Sequence, residues 1–455
     1  MTIEPVYRII DFRFKYPDSN CEISWLGEHN IYPGERILLT GASGSGKSTL
    51  LYGLMGLIPE TVYGEVLGDI LFKGNSIIKD PELIRGKAGL ILQNPSAQML
   101  CRTVREELAY GLENQEKPVD EIISTINEWA ERFDIKPLLD RETLTLSGGE
   151  KQKVTLLSIL MTSPEILMLD EPTAFLDPQT AREIMQIISE FQENKTLIFV
   201  EHNQHFLKAL ITRNLYLQKN GKVNDQLAEK VNWHSDLPHL TASHLGKSII
   251  KFKDIRFSYD DNKLLGGINL EISEREIVSI RGRNGCGKST LLRIMSGLGK
   301  DFQGDILLED NTSIFNDMKA LRNIVGLLFQ NPENHFLFNR VEQELENNCI
   351  GYITEEFSAK AEQSPFTLSE GEKRRLSTAI SYRQNIKLLL LDEPTFGQDN
   401  ENKIRLIELL GNLRDTGLGI VIVSHDEEFI KAVSSRIFEL KSGKLVLGKE
   451  IETAE

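Results

Sequence analysis

At 455 residues the chain is too long for one hydrophobic core, and two domains of roughly 200 residues each are expected. With 40% hydrophobic and 26% charged residues it reads as a soluble globular protein, and its net charge of −15 argues against a nucleic-acid surface, which needs clustered Lys and Arg. No apolar run approaches the roughly 18–20 residues that cross a bilayer, and the first residues lack a signal-peptide pattern, so any membrane role must come through a partner.

The stretch Tyr7 to Tyr16 is mostly strand-like and ends at a turn, Pro17-Asp18. A second strand near Glu22 to Leu26 leads through Pro33-Gly34 into the apolar run Ile37-Leu38-Leu39-Thr40. Directly after it stands Gly41-Ala42-Ser43-Gly44-Ser45-Gly46-Lys47-Ser48, which fits the G-x-x-x-x-G-K-[ST] phosphate loop. Thr49 to Met55 has apolar positions that suit a helix, so the motif lies in the strand–turn–helix context it needs. Asp69 to Phe72 and Ala88 to Leu92 read as strands, the latter ending at Gln93. From about Val104 to Pro137 strand signals give way to spaced apolar residues, among them Ile122, Ile126, Trp129 and Phe133, which predict a helical insertion.

Leu146-Ser147-Gly148-Gly149-Glu150 then opens a helix through Leu160, and the buried strand Ile166 to Leu169 ends in Asp170-Glu171. Thr196 to Val200 is a further strand, closed by Glu201-His202. Asn220-Gly221, flanked by Leu215 to Leu217 and by Val223, marks a hairpin turn. Residues 1–224 form the first domain, 225–247 lack periodicity and read as a linker, and 248–455 form the second.

Beyond the linker everything recurs. Gly41 maps to Gly282, Gln93 to Gln330, Ser147 to Ser369, Asp170 to Asp392 and His202 to His425, at position differences of 241, 237, 222, 222 and 223. The drop of 15 between the second and third pairs places a deletion in the helical insertion of the second half. The second phosphate loop reads Gly282-Arg283-Asn284-Gly285-Cys286-Gly287-Lys288-Ser289 after Ile277-Val278-Ser279-Ile280. Cys286, with Cys21, Cys101 and Cys349, makes four scattered cysteines that fit reduced thiols better than disulfides or a zinc site.

Each motif carries a stated chemistry. Loop glycines let backbone N–H groups close round a phosphate, and the following helix N-terminus adds partial positive charge. Lys47 and Lys288 would reach the β- and γ-phosphates, with Ser48 and Ser289 on Mg²⁺. Asp170 and Asp392 suit the same hard cation, and the adjacent Glu171 and Glu393 would polarise an attacking water. Gln93 and Gln330, at strand ends, are placed to sense the γ-phosphate, the metal or the lytic water. A single strand-closing histidine is more often structural, but His202 and His425 recur at equivalent positions, which favours a γ-phosphate contact.

The set of phosphate loop, Q-loop, Leu-Ser-Gly-Gly-Glu signature, Asp-Glu strand end and switch histidine resembles an ABC-type ATPase, twice over. The resemblance implies an α/β fold of two tandem P-loop NTPase domains, each a parallel-sheet core with an antiparallel β subdomain and a helical subdomain. It implies ATP with Mg²⁺, held by Gly41, Ser43, Gly44, Gly46, Lys47, Ser48 and Thr49, and by Gly282, Asn284, Gly285, Gly287, Lys288, Ser289 and Thr290. Tyr16 and Tyr259 sit where such proteins place an adenine-stacking aromatic. It also implies an intramolecular pseudo-dimer, in which the signature residues Ser147, Gly148 and Gly149 serve the phosphate site of the second half, and Ser369 and Gly371 that of the first. The second signature reads Leu368-Ser369-Glu370-Gly371-Glu372, with a carboxylate in place of a glycine. From ~6 Å at an effective dielectric of ~20, Glu370 would repel a γ-phosphate by ~3 kcal/mol; facing solvent, it would not.

Gln93-Asn94-Pro95-Ser96-Ala97-Gln98-Met99 and Gln330-Asn331-Pro332-Glu333-Asn334-His335-Phe336 resemble the Gln-x-Pro-x-x-Gln-apolar segment of energy-coupling-factor ATPases, with His335 departing from it. That family implies a membrane-embedded coupling subunit and a substrate-binding membrane subunit for a vitamin or metal ion, with the ATPase peripheral at the cytoplasmic face. Two other readings compete. A soluble ABC-F translation factor would carry a long charged linker where this one is short, and a sugar-importer ATPase is opposed only by the Q-loop segments.

Overall fold

The computed structural model describes residues 4–17, 22–42, 44–174, 176–191, 195–201, 207–218, 220–228, 237–241, 243–259, 262–315, 317–346, 356–382 and 385–448. The chain divides into two compact units, Met1–His234 and Ser235–Glu455. Strands of the first are β1 (Tyr7–Lys15), β2 (Glu22–Ile31), β3 (Arg36–Gly41), β4 (Glu65–Phe72), β5 (Asn75–Ser76), β6 (Ala88–Ile91), β7 (Ile166–Asp170), β8 (Thr196–Val200), β9 (Arg213–Leu217) and β10 (Val223–Leu227).

They form two sheets. One is antiparallel, in the order β2-β1-β4-β5, and the other runs β10-β9-β3-β8-β7-β6. In the second sheet β9 to β6 pair in parallel, and only β10 runs antiparallel. Parallel strands covered on both faces read as unbroken apolar runs, and β7 and β8 are buried at every residue. Alternation then sorts the side chains. Ile37, Leu39, Ile166, Met168 and Ile198 face the core shared with the antiparallel sheet and the phosphate-loop helix Lys47–Leu54. Leu38, Leu167, Leu169, Leu197 and Phe199 face the opposite core, where Val154 and Leu157 of the signature helix Gly148–Met161 pack.

The insertion is helical, as its spacing predicts: Val104–Asn114, started by a Thr103–Glu106 capping box, and Val119–Arg132. Ile122 and Ile126 are buried, and Trp129 stacks on Phe191 with ring centroids 4.9 Å apart. Strand β10 carries regular structure three residues past 224, because Gln226 and Leu227 stay in register with Asn214 and Arg213 and Arg213 binds Asp225 at 2.6 Å.

The second unit repeats this plan with β11 (Ser248–Tyr259), β12 (Asn262–Ser273), β13 (Ile277–Arg281), β14 (Gln303–Leu308), β15 (Val325–Leu328), β16 (Leu388–Asp392), β17 (Gly419–Val423), β18 (Arg436–Lys441) and β19 (Lys444–Leu447). Its antiparallel sheet is β12-β11-β14, and its main sheet β15-β16-β17-β13-β18-β19 matches the first strand for strand. Leu237 joins its core, and Leu240 N–H donates to Ala432 O at 2.8 Å. Between Gln330 and Ser369 the described residues include the short α-helix Val341–Leu345, where the first unit has Val104–Asn114 and Val119–Arg132.

Candidate functional site

Central strands β3 and β13 each feed a glycine-rich loop into an eight-residue helix, Lys47–Leu54 and Lys288–Met295. Gly46 and Gly287 cap these helices in the left-handed region, φ 97° and 105°, which glycine enters without strain. A Cβ at Gly46 would also collide with the Ile23 side chain. Neither cap supplies a side-chain hydrogen bond, so the first-turn N–H groups are offered to an anion. Lys47 and Lys288 are buried, and each folds back on its loop: Lys47 Nζ donates to Gly41 O and Ala42 O at 2.9 and 3.0 Å, Lys288 Nζ to Gly282 O and Arg283 O at 2.7 and 3.0 Å. A buried cation, a curled backbone and an uncapped helix end are a donor set that fits polyphosphate. Ser43 lies outside the described residues.

The strand ends bring carboxylates to these loops. Asp170 and Asp392 close β7 and β16 and are buried. Burial pushes the Asp392 carboxyl up, opposed by the Ser289 hydroxyl and by Lys288. Glu171 and Glu393 follow with φ 50° and 49°, a conformation unusual for a residue with a Cβ and one that clusters at active sites. Their N–H groups are pinned to Val200 O at 2.7 Å and Val423 O at 2.8 Å.

Each glutamate side chain has a described hydrogen-bond donor. Gln93 Nε2 donates to Glu171 Oε2 at 2.8 Å, so the Q-loop and the candidate base meet in the first unit. In the second, His425 N–H donates to Glu393 Oε2 at 3.2 Å, and His425 Nε2 lies 3.1 Å from Asn284 Oδ1 and 3.5 Å from Glu393 Oε1. Burial raises the Glu393 carboxyl to about 7, partly offset by Lys288. Gln330 is exposed at its strand end. His202 lies outside the described residues, but Glu201 beside it is buried and accepts from Thr173 Oγ1 at 2.6 Å.

Ser147 and Ser369 cap their helices through capping boxes with Glu150 and Glu372. Gly149 and Gly371 are close-packed, since a Cβ would press on Thr180 or Asn402, whereas a Cβ at Gly148 meets nothing within 4 Å. The helix start therefore admits a side chain at the position that Glu370 occupies in the second half; the Glu370 side chain itself is outside the described residues. Tyr16 OH is 3.1 Å from Thr49 Oγ1, which places this ring beside the phosphate-loop helix. Tyr259 ends β11, and its side chain is not described.

Two residues gain a role that their spacing alone did not reveal. Gln98 closes the first Q-loop: its Oε1 accepts from Leu92 N–H at 2.7 Å and its Nε2 donates to Leu90 O at 2.8 Å. His335, the departure from the repeated segment, does the same work, its Nε2 accepting from Phe329 N–H at 2.9 Å. The later Gln of this segment is thus a loop brace, and imidazole replaces it.

Fold and site together define a P-loop ATPase built twice in one chain. The family model described as ABC transporter matches residues 28–174 and 265–396. A Bacillus subtilis protein named for HMP/thiamine import, the ATP-binding protein YkoD, is 32% identical over 482 residues, covering 94% of this chain and 88% of its own length. An ABC transporter ATP-binding protein of Methanosarcina mazei is 31% identical over 447 residues, covering 91% of this chain and 89% of itself. The solved structure of RNase-L inhibitor covers 96% of this chain and 90% of itself with a TM-score of 0.66 at 19% identity, a likeness of fold. The chain belongs to the ABC transporter family, as an ATPase with two fused nucleotide-binding domains.

Cys286 offers a direct probe of the second loop. It is a free, half-buried cysteine inside the second glycine-rich loop. Maleimide should label it in the free protein, and ATP should slow that labelling, as followed by mass spectrometry. Labelling indifferent to ATP would contradict the pocket.

Proposed function

We propose that this chain is the ATP-hydrolysing, energy-coupling subunit of an importer of the energy-coupling-factor type. It would work peripherally at the cytoplasmic face, through a membrane-embedded coupling subunit and a substrate-binding membrane subunit. No described helix is long and apolar enough to cross a membrane, so the transport path would belong to those partners.

One observation carries the reading. After each braced Q-loop a buried carboxylate clamps the chain: Glu107 accepts from Leu100 and Cys101 N–H at 2.9 and 2.8 Å, and Glu344 from Leu337 and Phe338 N–H at 2.5 and 2.7 Å. The clamps hold Leu100 and Leu337 outward, 69% and 83% exposed. Scattered exposed leucines need no explanation, but a pair at equivalent positions, pinned alike, supports two like contact points for a partner. The Bacillus subtilis relative named for HMP/thiamine import favours a vitamin-type cargo over a metal ion.

The chemistry proposed for each half uses Mg²⁺-ATP. Among the described residues no cluster of three or more His, Cys, Asp or Glu could hold a metal. One aspartate and one loop serine per half, Asp170 with Ser48 and Asp392 with Ser289, suit Mg²⁺, which takes its remaining ligands from phosphates and water. When bound, the ion would neutralise charge developing on the phosphates. Lys47 and Lys288 would draw the γ-phosphate into the cradle, and Glu171 and Glu393 would orient the water and accept its proton.

Affinity purification from solubilised membranes tests the reading. Leu100→Asp together with Leu337→Asp should reduce co-purified membrane subunits roughly tenfold or more. Recovery with ribosomes and without membrane subunits would overturn it in favour of a soluble translation factor.

A further inference from the structure

The signature helix of the second unit, Glu370–Ser381, holds three consecutive cations that are nearly inaccessible: Lys373 at 9% exposure, Arg374 at 2% and Arg375 at 2%. Adjacent buried cations are tolerated only when each is matched by its own acceptors. Lys373 Nζ meets Glu333 Oε1 of the Q-loop segment at 2.6 Å, and Arg375 meets Glu356 Oε1 at 2.8 Å and Asn402 Oδ1 at 2.6 Å. Arg374, between them, turns to the strand end that carries the candidate base. Its Nη1 donates to the main-chain oxygen of Glu393 at 2.9 Å, and its guanidinium lies 5.3 Å from the centre of the Phe396 ring.

This contact falls on a strained residue. Glu393 sits at φ 49°, and a left-handed residue with a side chain keeps that conformation only where its surroundings fix it. Its N–H is pinned by Val423 O and its carbonyl accepts from Phe396 N–H at 3.2 Å, and Arg374 adds a shorter, charged donor to that same oxygen. The first unit lacks this device. At the repeat offset of 222 the equivalent residues are Gln152 and Ala174, and the buried Gln152 Nε2 has no hydrogen-bond partner among the described residues. There the Glu171 carbonyl accepts from Ala174 N–H at 3.0 Å, and Gln93 holds the side chain.

We propose that Arg374 is a positioning residue for hydrolysis in the second unit, fixing Glu393 through its carbonyl and tying it to the signature helix. The proposal rests on reading Glu393 as the base. Acting on geometry, Arg374 should influence turnover and leave nucleotide capture to the phosphate loop.

A double-mutant cycle on the full chain, read by steady-state ATPase kinetics, tests it. In the Glu171→Gln background, where only the second base remains, Arg374→Gln should lower kcat roughly 10- to 100-fold, as a misplaced catalytic group does, with KM for ATP nearly unchanged. Arg374→Lys, which can still donate to the Glu393 carbonyl, should recover part of the rate. In the Glu393→Gln background Arg374→Gln should change nothing further. Equal losses in both backgrounds, or a rise in KM matching the fall in kcat, would make Arg374 a merely structural residue and overturn the proposal. Should Arg374→Gln fail to fold, Arg374→Lys alone must show its smaller loss confined to the Glu171→Gln background. Failure of the underlying reading is distinguishable, because Glu393→Gln by itself would then leave turnover intact.

Discussion

The Glu171→Gln, Glu393→Gln double variant should lose about 10²–10⁴-fold in ATP turnover while still binding ATP, the loss expected when a general base is removed and its shape kept. Both residues follow a buried, strand-closing aspartate, and both adopt left-handed backbone conformations with their N–H groups pinned to the neighbouring strand. That geometry repeats to within a degree in φ, 50° against 49°, although the surroundings differ. Glutamine retains an oxygen that can accept from Gln93, so the first loop should remain closed. Turnover is read by phosphate release and binding by a fluorescent ATP analogue. Affinity falling in parallel with rate would show that the carboxylates hold nucleotide and do not activate water.

Much of this arrangement was legible in the chain because its motifs are local. A strand, a glycine turn and a helix are contiguous, so Lys47 and Lys288 were placed by spacing alone, and the buried runs Ile166 to Leu169 and Leu388 to Leu391 announce parallel strands. The repeat offset places a 15-residue deletion between Gln330 and Ser369. Contacts between distant elements were not legible. Nothing in the sequence shows that Gln93 reaches Glu171 across 78 residues, or that His425 reaches Asn284 across 141. The burial of Lys373, Arg374 and Arg375 follows only once the Q-loop segment and the Glu393 turn have been folded against that helix. His335 looked like erosion of a pattern, because exchange of an amide for an imidazole conserves an acceptor and not a residue type.

That exchange carries a measurable consequence. Wild type should lose stability relative to His335→Gln as pH falls below about 6.5, and the difference should reach about 2 kcal/mol at pH 5. Burial against Phe329, 5.0 Å away between ring centres, holds the His335 imidazole down at about 4, against 6.5 for an exposed one. Its Nε2 already accepts a backbone hydrogen bond, so protonation would both bury a charge and break the brace. Between these two values the unfolded chain binds the proton and the folded chain does not, so folding is increasingly opposed as pH drops and is unaffected above 6.5. Glutamine has no such proton, and Gln98 shows that an amide at this position accepts the same kind of bond, from Leu92 N–H at 2.7 Å. At pH 7.5 the two proteins should therefore be closely similar, with the brace intact in both. Urea unfolding of wild type and variant at pH 7.5, 6 and 5 measures the difference, in which all other titrating groups cancel. Parallel pH profiles would mean that His335 protonates in place, and the imidazole would then not be the closed brace of the second Q-loop.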